Sequence, residues 1–192
     1  MTQAALFPAL DLETAPVPSR PLLKASHDQF GFIPGPVARV AASPALLRHL
    51  LSGFGAFDRT ALTATEREVV AMTVAFENDC HYCMALHSAL LAEKPALAPI
   101  VAALRAGTEL PDARLEALRG FVRALVTNRG RVTRERLAEL RLAGFSDADA
   151  LDALLGTAVY ITSTFANILT RADLDPPFEP FRWQKPGSQE RS

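Results

Sequence analysis

The sequence predicts an all-α protein, a bundle of seven or eight helices that follows an extended, proline-rich arm. In stretches such as 112–130, DARLEALRGFVRALVTNRG, apolar residues recur every three or four positions, which is the spacing of one face of a helix. Residues that cap helices precede several of these stretches, and glycines follow them. No stretch shows the alternation of apolar and polar residues that is typical of a half-buried strand.

The elements follow in order from an arm at the start of the chain. Six prolines lie in the first forty residues, where they disfavour regular helices, and GFIPGP at 31–36 is typical of a turn. The chain has 192 residues, of which 49% are hydrophobic, enough to build one core. We therefore expect a single domain with an arm (1–30), a helical body (31–172) and a tail (173–192).

Capping residues set the boundaries of the helices in the body. Ser43 followed by Pro44 is a helix start, with a capping hydroxyl and a proline in the first turn. Thr63 and Glu66 have the spacing of a capping box, and Asp79 is placed to cap the next helix, which begins at the cysteines. Three glycines are expected to end helices: Gly107, Gly130 and Gly144. Ser146 begins the last helix, which should run to about residue 171.

The charge balance argues against nucleic acid and membranes as partners. The chain has 20 Lys and Arg against 21 Asp and Glu, a net charge of -1, so no basic surplus attracts a polyanion. The first residues lack the basic start and apolar run of a signal peptide, and we expect a cytoplasmic protein. Residues 153–170 are uncharged and approach the length of a membrane span, but their polar side chains favour a buried helix, of a kind that often lies in a subunit interface.

The stretch DCHYCMALH at 79–87 contains both cysteines of the chain. On a helix, Cys80, Cys83 and His87 lie on one face, because positions three and four apart are neighbours. The unpaired N–H groups and the dipole of the first turn favour a thiolate there. His87 lies one turn beyond Cys83 but on the order of 10 Å beyond Cys80 along the helix, so its ring reaches only Cys83. In a reducing compartment, such a pair is more typical of redox or metal chemistry than of a structural disulfide.

These distances predict a division of roles. Cys83, with a base one turn away, would attack a peroxide, and Cys80 would resolve the product into a disulfide. Glu68 and His87 lie about equally far from a chain reversal at 77–79, so an antiparallel pair of helices would bring them level. We expect a chain of contacts from Glu68 to His87 to Cys83, in which the carboxylate orients the ring and the ring takes the thiol proton.

Other interpretations remain open at this point. The spacing C-x2-C-x3-H supplies three zinc ligands, with Glu68 or His81 as a fourth, whereas a structural zinc site normally has four strong ligands. We expect no metal and no cofactor, and the alternative to an enzyme is a helical oligomer that senses redox state or binds zinc. Tyr82 and His81 are auxiliary candidates. Tyr82 is expected either to donate a hydrogen bond near the thiols or to pack in the core, and His81 is expected on a solvated face of the helix. Asn167, isolated in an apolar helix, is expected to satisfy a buried backbone group or a subunit contact.

The spacing of Glu68, Cys80, Cys83 and His87 resembles the motif of the alkylhydroperoxidase D-like branch of the carboxymuconolactone decarboxylase superfamily. The stretches GFIPGP, SPALL, LTATERE and AGFSD resemble its peroxidase-related members, so that the similarity spans most of residues 28–170.

The resemblance implies an all-helical fold that forms dimers, trimers or hexamers, with a peroxidase site at those four residues. It also implies a dithiol reductant, such as a lipoyl group on a partner protein. One position departs from the pattern of the best-studied branch. That branch has a second histidine just before the second cysteine, where this chain has Tyr82, with His81 one place earlier.

Overall fold

The computed structural model describes residues 6–187 and is all-α, as predicted. Within those residues, eight helices are longer than two turns, and one short helix is added to them. Their bounds are α1 Arg20–Phe30, α2 Gly35–Val40, α3 Pro44–Phe57, α4 Ala64–Glu77, α5 His81–Leu91, α6 Ala98–Ala106, α7 Ala113–Thr127, α8 Arg134–Leu142 and α9 Asp147–Thr170. Short 3₁₀ turns lie at Val17–Ser19, Pro95–Leu97 and Pro176–Phe181. The two ends of the predicted arm and tail, 1–5 and 188–192, lie outside the described residues.

Helix α4 is the centre of the fold. It packs against α5, α6, α7 and α9, and every residue from 69 to 75 is buried. The predicted capping box is present: the Thr63 hydroxyl accepts a hydrogen bond from the Glu66 amide, and the Glu66 carboxylate accepts one from the Thr63 amide. This cap fixes the residue at which α4 begins. The start of the helix in turn determines which face of α4 carries Glu68.

The arm is not extended throughout, and this part of the prediction is wrong. Residues 20–30 form α1, because Pro21 lies in the first turn, where a proline needs no N–H partner. Leu23 is fully buried, and the Ser19 hydroxyl donates to the Ala41 carbonyl at 2.7 Å. Residues 6–16 do run outside helices, and the amide of Leu10 donates to the carbonyl of Ala38. The arm therefore packs along α2 as part of the body.

The tail also joins the core over its described part. The 3₁₀ turn Pro176–Phe181 packs against α5, and Phe178 and Trp183 are both 6% exposed. The Trp183 indole donates to the Arg105 carbonyl at 2.8 Å. These contacts hold the tail over the start of α5, where the cysteines lie.

Helix α9 is the longest helix and the one in the described chain that is long and apolar enough to cross a membrane. It packs instead against α2, α3, α4 and α7 as a core helix. Gly156 permits a close approach to α3, because a side chain there would meet the Phe57 ring at 2.4 Å. A large part of its surface faces outward, with Leu151, Phe165 and Leu169 more than half exposed.

Candidate thiol site

A tight corner between α4 and α5 places the two cysteines at the start of α5. Asp79 adopts a left-handed conformation, φ 55°, which Asp tolerates better than most residues. The predicted role of Asp79 as the helix cap is therefore wrong, because a capping residue needs an extended backbone. Cys80 has that conformation and is the cap, so α5 begins one residue later than expected, at His81.

The two sulfurs lie in different environments as a result. The thiolate form of Cys80 accepts hydrogen bonds from the Cys83 thiol and from the backbone N–H groups of Cys83 and Tyr82, and these outweigh the cost of burial and lower the Cys80 pKa. The pKa of Cys83 is raised well above its ordinary value, because its thiol donates to Cys80 and is buried beside that charge. These hydrogen bonds favour the thiolate at Cys80, whereas the assignment of Cys83 as the attacking thiol stays a prediction.

Asn167 of α9 contacts both sulfurs, a role that the sequence analysis missed. Its side-chain amide donates to the Cys83 sulfur at 3.2 Å and to the Cys80 sulfur at 3.8 Å. The Ser163 hydroxyl, one turn earlier on α9, also favours the thiolate form of Cys83. The signal in the sequence was a single amide in an otherwise apolar helix, which requires a buried polar partner.

Glu68 and His87 form the pair that was predicted from their equal distance to the chain reversal. The His87 Nδ1 and a Glu68 carboxylate oxygen lie 2.7 Å apart. Burial opposes both charges, but the mutual attraction and hydrogen bond raise the pKa of His87 and lower that of Glu68. The Cys80 thiolate raises the His87 pKa further. These interactions favour the protonated form of the His87 ring over its neutral form.

The second contact of the predicted chain is absent. Within residues 6–187, His87 makes no hydrogen bond to either sulfur. Its ring instead packs edge-on against Tyr160, at 5.3 Å between centroids. Because Nδ1 is held by Glu68 and the ring by Tyr160, any proton exchange with the sulfurs needs a molecule between them.

The two auxiliary candidates, Tyr82 and His81, lie in different environments. Tyr82 is 2% exposed, and its hydroxyl donates to the Asp175 carboxylate of the tail at 2.5 Å. Asp175 also accepts from the Gly35 amide, and the Tyr82 ring packs edge-on against Phe178. Burial and the Asp175 charge raise the Tyr82 pKa far above its ordinary value. His81 lies on the exposed face of α5, as expected.

The site is closed to bulk solvent. Cys80, Cys83 and His87 are 1%, 3% and 5% exposed, whereas a quarter of the Glu68 side chain is exposed. Across the described part of the chain, no three His, Cys, Asp or Glu side chains converge as ligands for a metal ion. The arrangement is a buried dithiol with amide donors on one side and the imidazole–carboxylate pair of His87 and Glu68 on the other. Such a dithiol can release two electrons by forming a disulfide, and the disulfide can take them up again.

Comparison with known proteins agrees with this architecture. The sequence model of the Carboxymuconolactone decarboxylase family matches residues 44–125, which run from α3 into α7 and include the cysteines, Glu68 and His87. No functionally curated protein matches the chain.

Three solved structures share the fold over nearly the whole chain. A peroxidase-related protein with an alkylhydroperoxidase core, from Ralstonia eutropha JMP134, has 25% identity and a TM-score of 0.78, covering 96% of this chain and 100% of that one. A peroxidase-related protein from Silicibacter sp. TM1040 has 22% identity and a TM-score of 0.74, covering 95% and 100%. The debrominase Bmp8 has 17% identity and a TM-score of 0.76, covering 94% and 97%. The sequence match over residues 44–125 and the shared fold over nearly the whole chain both support the predicted resemblance to the alkylhydroperoxidase D-like carboxymuconolactone decarboxylase superfamily.

Proposed function

We propose that the protein is a thiol peroxidase that reduces organic hydroperoxides through a disulfide between Cys80 and Cys83. The observation that carries the proposal is the convergence of both sulfurs on the Asn167 amide at the start of α5. A thiolate stabilised by a helix start and amide donors is the form of cysteine that attacks electrophiles. The peroxidase-related names of two structural relatives agree with this activity.

The first step oxidises Cys80. Its thiolate attacks the terminal oxygen of the hydroperoxide ROOH, so that a sulfur–oxygen bond forms while the oxygen–oxygen bond breaks. The departing alkoxide takes one proton and leaves as the alcohol ROH. His87 is the candidate source of that proton, because the charge and hydrogen bond of Glu68 raise its pKa. Transfer would pass through the substrate or a water molecule.

The second step joins the sulfurs. The Cys83 sulfur attacks the sulfenic acid of Cys80, the sulfur–sulfur bond forms, and hydroxide leaves with the Cys83 proton as water. Both electrons taken by the peroxide thus come from the two thiols. A dithiol then returns them by disulfide exchange, and a lipoyl group on a carrier protein is the reductant we propose. The cytoplasm, where thiols are kept reduced, is the proposed location.

The test is a single-turnover titration of reduced protein. One equivalent of cumene hydroperoxide should remove both free thiols and form one intramolecular disulfide, measured by thiol titration and intact mass. In Cys83→Ser, the Cys80 sulfenic acid should persist and react with dimedone, whereas Cys80→Ser should react slowly. His87→Gln should slow the reaction, and His81→Gln, on the exposed face of the same helix, is the matched control. Two thiols that survive the peroxide would end the proposal.

Alternative functions give different results in the same experiments. A disulfide that forms once but is not turned over by dihydrolipoamide would favour a redox sensor without catalysis. Zinc in the purified protein, bound in proportion to the chain, would favour the metal-binding oligomer. Because a variant of the debrominase Bmp8 was solved with 2,3,4-tribromopyrrole, that compound serves as a competing substrate. Faster thiol loss with it than with the hydroperoxide would assign dehalogenation instead.

A further inference from the structure

A row of three side chains on α9 faces the reactive side chains of α5. The row comprises Tyr160, Ser163 and Asn167, at steps of three and four, which is the spacing of one helix face. Asn167 contacts both sulfurs, and the Ser163 hydroxyl bonds to the Cys83 sulfur. The Tyr160 ring packs against His87, at 5.3 Å between ring centroids. Tyr160 therefore lies at the imidazole end of the site, as Asn167 lies at the thiol end.

The Tyr160 hydroxyl lies at the border between the closed site and solvent. Within residues 6–187 it makes no hydrogen bond. Every side-chain nitrogen or oxygen that is sealed from solvent in those residues has a partner. Because Tyr160 is only partly buried, its hydroxyl thus retains an opening to solvent. A phenol in this position can bind a molecule that enters the site.

Aromatic contacts hold the Tyr160 ring in place. Its centroid lies 5.3 Å from that of Phe54 and 6.2 Å from that of Phe57, on the side away from solvent and beside the His87 contact. Ring pairs at these distances have a preferred geometry, so the hydroxyl is positioned before a substrate binds. Phe54 is itself partly exposed, which gives the opening an apolar wall suited to the organic part of a hydroperoxide.

The hydroxyl keeps its proton at neutral pH. Burial and the negative charge of Glu68 raise the pKa of Tyr160 far above its ordinary value. A negative charge on the Cys83 sulfur raises this pKa further, so the hydroxyl lies within electrostatic reach of that sulfur. Tyr160 can therefore donate a hydrogen bond inside the site, whereas it is not a base.

We propose that Tyr160 is a catalytic residue of the thiol site, whose hydroxyl donates a hydrogen bond to the leaving oxygen of the hydroperoxide. The inference rests on the proposed peroxidase function and adds a residue to that reaction. As the bond from the Cys80 sulfur to oxygen forms and the oxygen–oxygen bond breaks, negative charge develops on the alkoxide oxygen. A donor placed at that oxygen stabilises the transition state more than the bound substrate. The proton that completes the alcohol comes from His87, so Tyr160 ends the step unchanged.

The test compares Tyr160→Phe with the wild type in a single turnover. This substitution removes the hydroxyl and keeps the ring and its contacts. The rate constant for loss of thiols to cumene hydroperoxide, measured by stopped flow, should fall about 10- to 100-fold, the range of one hydrogen bond to a charged group. The matched control is Thr162→Val, because the Thr162 hydroxyl also lies on α9 but donates to the Ala158 carbonyl of that helix. The control should react at the wild-type rate.

A second oxidant separates an effect on the leaving oxygen from other effects of the substitution. Perbenzoic acid transfers its terminal oxygen to the same thiolate, but its leaving group is benzoate, a weak base that needs no proton and little help from a donor. Tyr160→Phe should therefore change the rate with perbenzoic acid much less than the rate with cumene hydroperoxide. The pKa of the reactive thiol, measured by iodoacetamide alkylation, should be the same in the variant and the wild type.

The results that would overturn this role differ from those that would end the proposed function. A wild type that loses its thiols to cumene hydroperoxide no faster than Tyr160→Phe does would overturn the role and leave the peroxidase function standing. Equal slowing with both oxidants would also overturn it, because it would place the effect on packing or on the thiolate. A wild type whose thiols survive both oxidants would end the peroxidase function, and the role of Tyr160 with it.

Discussion

Asn167→Leu should weaken the thiolate without unfolding the protein. The Asn167 amide is the side-chain group that donates to both sulfurs, at 3.2 Å to Cys83 and 3.8 Å to Cys80. A hydrogen bond to a charged group contributes about 1.5–3 kcal/mol. The longer contact to Cys80 places this one at the low end, about 1.5 kcal/mol, which corresponds to about one pKa unit.

The reactive thiol should therefore titrate about one pH unit higher in Asn167→Leu than in the wild type. Below that pKa the alkylation rate should fall roughly tenfold, since only the thiolate reacts. The assay is the pH dependence of iodoacetamide alkylation, with peptide mass spectrometry to identify the modified cysteine. Asn167→Asp should shift the pKa further in the same direction, because a carboxylate replaces the donor.

Thr170→Val is the matched control for this substitution. Thr170 is buried on the same helix, and its hydroxyl donates to the Ala166 carbonyl of α9 itself. The control should leave the alkylation profile unchanged. An alkylation pKa in Asn167→Leu equal to that of the wild type, with native near-UV circular dichroism, would show that Asn167 does not stabilise the thiolate.

Three further predictions concern packing, the ion pair and the tail. Gly156→Ala should lower the free energy of unfolding, measured in urea, by about 1–3 kcal/mol, because the added methyl group collides with the Phe57 ring. The control is Gly55→Ala, which should be neutral or stabilising because its nearest neighbour is the flexible end of Arg59 at 3.4 Å. Equal values for the two variants would contradict the packing argument. Glu68→Gln should lower the free energy of unfolding most between about pH 4.5 and 6.5. The measurement is the urea midpoint at each pH, with the exposed Glu93→Gln as the control. A loss of stability that does not depend on pH would show that the ion pair is not its cause. Tyr82→Phe and Asp175→Asn should each cost about 1.5–3 kcal/mol, and their double variant much less than the sum; simple additivity would show that the two groups do not interact.

The pH window for Glu68→Gln follows from the directions of the two pKa shifts. The folded pKa of Glu68 is lowered, so its contribution is present above the ordinary value of 4.5 and is lost as the pH falls through the folded value. The folded pKa of His87 is raised, so its contribution is present below the ordinary value of 6.5 and is lost as the pH rises through the folded value. Both contributions are present in full only between these limits.

Local rules of sequence predicted most of the fold. The capping box at Thr63 and Glu66 and the cap at Ser43 depend on residues within one turn, and both are present. The pairing of Glu68 with His87 needed only the position of the chain reversal and the rise of a helix. Residues that face each other across a short connection between neighbouring helices can thus be predicted from their sequence distances to that connection.

Features that depend on distant contacts were not predictable in this way. Asn167 lies 84 residues from Cys83, and no spacing rule links α9 to α5. The helix at 20–30 was missed because Pro21 was taken as a breaker, whereas its place within the first turn makes it compatible with a helix. Its burial against the body, which includes Leu23, stabilises it there.

The one-residue displacement of the helix start determines the chemistry of the pair. A sulfur on the capping residue lies in front of the N–H groups of the next turn, as a capping oxygen does, and so Cys80 receives backbone donors from Tyr82 and Cys83. A sulfur three residues later lies beside the helix and has only side chains for partners, which include Asn167 and Ser163 here. Two thiols at this spacing therefore cannot share one environment. The left-handed backbone of Asp79, by making Cys80 the cap, gives the two sulfurs different hydrogen-bond donors before any substrate enters.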